Sequence, residues 1–152
     1  MPLPTRQEIC PHDDLDGRVA CEHFLGKSLH EAVALFREQP SYYESDLMWM
    51  GPVAFRYYVH AAIQFIRGLD AGHVQGEFIT GFAGTVRHRL QYEAHELAPV
   101  ATELAGICGY IVEHWPRFGV DPEFYGDVRA RYAALQQAFL RLSVETPTVR
   151  TA

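Results

Sequence analysis

Residues 51–68 constrain the fold most, because they form a helical pattern that is apolar on nearly every side. Pro52 suits the first position of a helix, and Gly68 suits the residue just after its last turn. The polar residues recur every three or four positions and share one narrow stripe: Arg56, His60, Gln64 and Arg67. A lipid-spanning helix would not carry an arginine and a histidine in mid-span without partners. The pattern therefore predicts the central helix of a bundle, with no membrane partner.

Four further segments have the apolar periodicity of amphipathic helices: 28–39, 73–91, 98–115 and 121–142. Ser28 and Glu31 form a capping box at the start of the first, and Asp121 with Pro122 starts the last. No segment alternates convincingly as a strand, although a minor hairpin before Ser28 stays open. We predict an all-α fold, a single domain spanning 1–152 built as an irregular bundle of about five helices. Residues 1–24 are predicted to be mostly irregular, with a short extended piece at 18–24, and 144–152 to be a loose tail.

Charge and cysteine content limit the classes of function that the chain can have. The chain of 152 residues has 19 acidic and 13 basic side chains and a net charge of −6. This balance disfavours nucleic acid and favours a basic protein partner. Three cysteines without CxxC spacing and a start without a secretory signal predict a cytoplasmic protein. No cofactor motif occurs, and homo-oligomerisation stays open.

The segment "SYYESDLMWM", residues 41–50, is the predicted binding site. Aromatic and methionine side chains beside carboxylates are typical of protein interfaces. We interpret the segment as an acidic, aromatic loop whose partner-binding candidates are Tyr42, Tyr43, Glu44, Asp46, Met48 and Trp49. In the alternative interpretation the aromatic side chains cap the core, above all Trp49 and Met50, which lie next to the buried helix.

Two other functions are alternatives. Eight histidines raise the possibility of a small metal-dependent hydrolase, although HxxxH and HExxH spacings are absent. Its candidate ligands are His73, Glu77, His88 and His95. A nucleic-acid-linked regulator would use the basic clusters "RHR" at 87–89 and "RAR" at 129–131, where Arg89 is predicted to be structural. No nucleophile motif occurs, so the chain is more readily a binding protein than an enzyme.

Two segments carry a resemblance to a known set of proteins. "HFLGKSLHEAVALF", residues 23–36, and "YYESDLMWMGPVAFRYYV", residues 42–59, resemble small uncharacterised single-domain bacterial proteins of the immunity or accessory type. Such proteins are encoded near toxin genes. The resemblance implies a non-enzymatic module that binds a toxin tightly, and it carries over no catalytic residues.

Overall fold

The computed structural model describes residues 1–70 and 75–145. Within these ranges the chain forms helices and no strand: α1 (Arg6–Ile9), α2 (Leu15–Phe24), α3 (Leu29–Glu38), α4 (Pro40–Trp49), α5 (Pro52–Arg67), α6 (Gly76–Leu97), α7 (Ala101–Glu113), α8 (Pro122–Tyr125) and α9 (Val128–Glu145). Two 3₁₀ turns, Ala98–Val100 and Trp115–Phe118, flank α7. The all-α prediction is confirmed, but there are more helices than the five predicted. Of the predicted tail, 144 and 145 belong to α9 and the remainder lies outside the described residues.

Helix α5 is the central helix that its sequence predicts. It packs against α1, α3, α4, α6 and α7, and its apolar side chains are buried on most of its circumference. The predicted polar stripe reaches the surface, with His60 half-buried and Gln64 exposed. Arg56, on the same stripe, donates to the Glu96 carboxylate at 2.7 Å and to the Glu96 carbonyl at 3.0 Å. The stripe therefore marks the edge where α5 meets solvent and the end of α6.

The prediction of an irregular N-terminus is wrong. The Thr5 hydroxyl accepts from the Glu8 amide at 3.2 Å, and the Glu8 carboxylate accepts from the Thr5 amide at 2.9 Å, so a capping box starts α1. Asp14 caps α2 by accepting from the Gly17 amide at 2.8 Å. The stretch 18–24, predicted to be extended, belongs to α2. Polar residues that resemble turn formers act here as helix caps, because an N-cap needs the same short acceptor side chains.

Residues 41–49 belong to α4, which corrects the loop prediction, and Met50 is the extended residue that caps this helix. The structure confirms that α3 ends before Pro40, since the residue before a proline avoids helical geometry. Pro40 also occupies the first turn of α4, where a missing amide proton costs nothing. The same proline ends one helix and starts the next, and the sequence interpretation used only the first role.

The helix predicted from Asp121 is divided in two. Asp121 caps α8 by accepting from the Glu123 amide at 2.9 Å. Gly126 then adopts a positive φ of 80°, which breaks the helix, and Asp127 accepts from the Ala130 amide at 3.1 Å to start α9. Phe124 of α8, which belongs to the helix predicted over 121–142, is on the surface.

Arg89 of α6 joins three helices. Its side chain is 3% exposed, and its Nε and Nη2 donate to the Leu47 carbonyl at 3.0 and 2.8 Å. Further donations reach the carbonyls of Met48 and Met50 and the carboxylate of Glu93. The guanidinium also lies 4.4 Å from the ring centre of Phe55 on α5. Arg89 thus satisfies the carbonyls that a helix leaves unpaired at its C-terminus, here those of α4.

We predict that Arg89→Met destabilises the fold. The substitution leaves the carbonyls at the end of α4 without donors and Glu93 without its cation, which should lower the free energy of unfolding by about 3 kcal/mol or more. Urea denaturation followed by circular dichroism measures this change. The matched control is Arg87→Met, two residues earlier and exposed, which should change stability by less than about 0.5 kcal/mol. Equal unfolding midpoints for the two variants would contradict the role of Arg89.

We also predict opposite outcomes for two glycines of α6. An added Cβ at Gly84 has no atom within 4 Å, so Gly84→Ala should stabilise the helix by about 1 kcal/mol. An added Cβ at Gly81 would lie 2.9 Å from Oε2 of Glu44, a buried carboxyl group held by Thr85. Gly81→Ala should therefore not stabilise the protein as Gly84→Ala does, and it should leave the stability unchanged or lower it. Thermal unfolding of both variants tests the close packing of α4 on α6, and an equal rise in Tm for both would refute it.

Candidate functional site

The six predicted partner-binding residues lie on two different sides of α4. Tyr42 and Trp49 share the outer face, seven residues apart, and are 52% and 53% exposed. Tyr43 and Met48 are half-buried. Glu44 and Asp46 are only 6% and 4% exposed, so the prediction that they face a partner is wrong. These carboxylates are buried because the segment is a helix, whose period turns Glu44 towards α6 and Asp46 towards α2.

Asp46 belongs to a relay of three side chains between α2 and α4. Its Oδ2 lies 2.6 Å from Nδ1 of His23, and Nε2 of His23 lies 3.2 Å from the hydroxyl of Tyr42. Burial raises the pKa of Asp46, while its hydrogen bond to His23 opposes that rise. Carboxylate, imidazole and hydroxyl follow the order found where a base activates a nucleophile. In this protein the three side chains join α2 to α4.

His23 was not among the residues predicted to form a site. The relay joins residues 23 positions apart, and no local spacing indicates such a pair. Cys21 is buried, and burial raises the pKa of its thiol, which disfavours the reactive thiolate. Cys108 is fully buried on α7, as its apolar stripe predicts.

Glu44 lies in the contact between α4 and α6. The Thr85 hydroxyl donates to its Oε1 at 2.6 Å. Burial raises the pKa of Glu44 to about 7, although the bond from Thr85 opposes the rise and nearby Asp46 adds to it. A carboxyl group in this position is part of the packing of two helices and not of a surface.

A shallow cleft opens where α4 ends, and we call it the Trp49 cleft. Its volume is about 190 Å³. Its rim consists of Pro11, His12, Met48, Trp49, Pro52, His88 and Tyr92, and its floor of Met50, Gly51, Arg89 and Glu93. Tyr92 is 70% exposed, and its ring centre lies 4.7 Å from that of His88. The cleft therefore brings Trp49 and Met48, two of the predicted residues, beside Tyr92 and His12, which sequence reasoning missed.

The floor of the Trp49 cleft is fixed by hydrogen bonds. Arg89 binds the last carbonyls of α4, and the Gly51 amide donates to the Ile9 carbonyl at 3.0 Å. A side chain at Gly51 would clash with the Glu8 carbonyl oxygen, so the close approach of α1 requires glycine here. The charge of Glu93 is matched by Arg89. The cleft is a preorganised surface of mixed polar and apolar groups with two exposed aromatic rings.

The candidate metal ligands do not come together within the part of the chain that is described. His73 lies outside the described residues. Glu77, His88 and His95 are exposed on α6, where the separation of eleven positions between the first two spans roughly 16 Å. A kink at Glu93 separates His88 from His95. Across 1–70 and 75–145, no three histidine, cysteine or acidic side chains gather as a metal site would need.

The two basic clusters do not form one basic face. Arg89 is buried, and Arg129 donates to the Val112 carbonyl at 3.1 Å. Arg87 and Arg131 remain, and both line a groove between α6 and α9. Nucleic-acid binding would need a continuous basic surface, which these residues do not supply. Among the described helices, none has the length and apolarity to cross a membrane.

The raised pKa of Glu44 predicts a pH dependence of stability. Since the folded pKa of about 7 exceeds the ordinary value of 4.5, the fold favours the protonated carboxyl. Its contribution is complete below pH 4.5 and is lost as the pH rises through 7, a change of about 3 kcal/mol. Glu44→Gln removes the titration and keeps an acceptor for Thr85. The free energy of unfolding of the wild type relative to this variant should fall between pH 5 and pH 8, and a constant difference would contradict the assignment.

Comparison with known proteins adds no relative. No protein-family model matches the chain, and no curated protein or solved structure matches it either. The candidate function therefore rests on the residues of this chain.

Proposed function

We propose that this protein is a non-enzymatic protein-binding module that receives its partner at the Trp49 cleft. The observation that carries the proposal is the pair of exposed aromatic rings, Trp49 and Tyr92, that line one cleft whose floor Arg89 holds in place. The proposal keeps Met48 and Trp49 from the predicted site and replaces Glu44 and Asp46 with Tyr92 and His12.

The chemistry of the rim supports a protein partner. Tryptophan, tyrosine and methionine are enriched in interface cores, where a few such residues contribute most of the binding energy. Tryptophan and tyrosine supply large apolar area and lose little conformational entropy, because each side chain has only two χ angles. The fixed floor of the cleft lowers the cost of ordering further. An apolar or aromatic side chain of the partner would fill the space between Trp49 and Tyr92.

The charge around the cleft indicates a basic partner. Asp14 and Asp16 are exposed shortly after His12 of the rim, and the chain has a net charge of −6. Such a surface steers a positively charged protein towards the cleft and speeds its association. The resemblance to bacterial immunity proteins suggests that this partner is a toxin, which the protein would neutralise in the cytoplasm by covering its surface.

The test is affinity purification from the native cell with three forms of the chain: wild type, Trp49→Ala with Tyr92→Ala, and Phe124→Ala. We expect one partner to co-purify with the wild type and with Phe124→Ala but not with the double variant. Calorimetry with the purified partner should then show a loss of at least about 2 kcal/mol, or roughly 30-fold in Kd, for the double variant. Phe124, which is 78% exposed on α8, is the matched control for loss of a surface ring.

The outcome is decisive only for folded variants. Trp49 and Tyr92 are exposed, so the circular dichroism and the unfolding midpoint of the double variant should match those of the wild type. A folded double variant that binds the partner as tightly as the wild type would refute the assignment of the cleft. If Phe124→Ala loses the partner as completely as the double variant does, the interface is not specific to the Trp49 cleft, and the assignment is also refuted.

A further inference from the structure

A second concave surface lies between α6 and α9, separate from the Trp49 cleft. We call it the α6–α9 groove, and its volume is about 400 Å³. Its walls are Ala83, Gly84, Ala134, Leu135 and Ala138, with Arg87 on α6 and Arg131 on α9. This volume falls within the range of pockets that hold small organic molecules. The groove combines an apolar lining with two cations.

Both cations are available to a ligand. Several other arginines are matched by carboxylates of the chain, as in the pairs of Arg18 with Asp13, Arg56 with Glu96 and Arg89 with Glu93. Among the described residues, the guanidinium groups of Arg87 and Arg131 have no hydrogen bond or ion pair. In a chain of net charge −6, two cations without carboxylate partners on one apolar groove complement an anion.

The volume of the groove, about 400 Å³, suits a small molecule. Its residues on α9 extend from 131 to 138, roughly 10 Å along the axis. A docked amphipathic helix with anchors from i to i+7 would cover a similar length, so a peptide is the occupant that the test must exclude. Gly84 adds depth, since the position of its absent Cβ is open space.

We propose that the α6–α9 groove binds a small organic anion with a carboxylate head and an aliphatic body. Arg87 and Arg131 hold the carboxylate, because guanidinium groups bind its two oxygens through paired hydrogen bonds. The aliphatic body lies along Gly84, Ala134 and Leu135. This site is independent of the proposed partner cleft, because no residue lines both.

Decanoate is the probe, titrated into the full chain by calorimetry, with chemical shifts of the α6 and α9 amides recorded in parallel. We expect saturable binding with shift changes at 83–87 and 131–138. Decanol lacks the charge and acetate lacks the aliphatic body, so each should bind at least 10-fold more weakly than decanoate. No saturation by decanoate at millimolar concentration, or equal binding of decanol, would overturn the proposal.

Two variants separate the charge from the shape of the groove. Arg87→Gln with Arg131→Gln should weaken decanoate at least 10-fold, while Arg129→Gln, two residues from Arg131 and outside the groove, should leave its Kd unchanged. Gly84→Leu places a side chain in the groove from a position whose Cβ has no atom within 4 Å, and it should abolish binding while circular dichroism shows that the protein stays folded. Unchanged binding by Gly84→Leu or by the double arginine variant would refute the site.

Further measurements exclude other occupants and separate this proposal from the previous one. Trp49→Ala with Tyr92→Ala should bind decanoate with the wild-type Kd, and a loss there would place the anion at the Trp49 cleft and overturn the assignment. An acidic amphipathic peptide that binds the groove when decanoate does not would also overturn it. A third result would overturn it as well: the wild type does not bind decanoate but self-associates in sedimentation experiments, and Gly84→Leu abolishes this self-association.

Discussion

The buried guanidinium of Arg89 is the interaction on which the arrangement of α4, α5 and α6 depends. A charge removed from water is costly unless hydrogen bonds and an opposite charge compensate it. Here the carbonyls at the end of α4 and the carboxylate of Glu93 supply that compensation. The same contacts complete the end of α4, which would otherwise leave carbonyls buried without donors. Arg89 thus provides donors for the carbonyls of α4, and these carbonyls provide acceptors for the guanidinium. Because both partners depend on this contact, it fixes the position of α4 relative to α6.

Helix α4 directs side chains that are close in sequence towards different neighbours. Its inner sides carry Glu44, bonded to Thr85, and Asp46, bonded to His23, so that buried polar contacts join it to both α6 and α2. Its outer side presents Tyr42 and Trp49 to solvent. Buried polar groups tolerate few alternative partners, because a mismatch leaves them unsatisfied. The inner contacts therefore orient the helix, and this orientation exposes the rings of its outer face.

The parts of the fold that depend on local chemistry could be predicted from the sequence. The Gly51-Pro52 start of α5 and the capping box at Ser28 are signals within a few residues, and the structure contains both elements. The identity of α4 as a helix was missed because Pro40 serves two helices at once. Of the candidate site, Trp49 and Met48 were predicted, whereas Tyr92 and His12 were not. Met48 and Trp49 are far in sequence from His12 and Tyr92, and only the packing of α4 on α6 and the contact of Gly51 with the end of α1 bring the four together.

Three consecutive residues of α6 connect the core, the Trp49 cleft and the α6–α9 groove. Successive side chains of a helix are turned by roughly 100°, so Arg87, His88 and Arg89 leave α6 in three directions. Arg87 lines the α6–α9 groove, His88 lines the Trp49 cleft, and Arg89 enters the core. The contacts of Arg89 fix the rotation of α6, and that rotation determines where the other two side chains point. One buried cation therefore positions residues of two surfaces that share no lining residue, which explains how a chain of this size can hold both on a single helix.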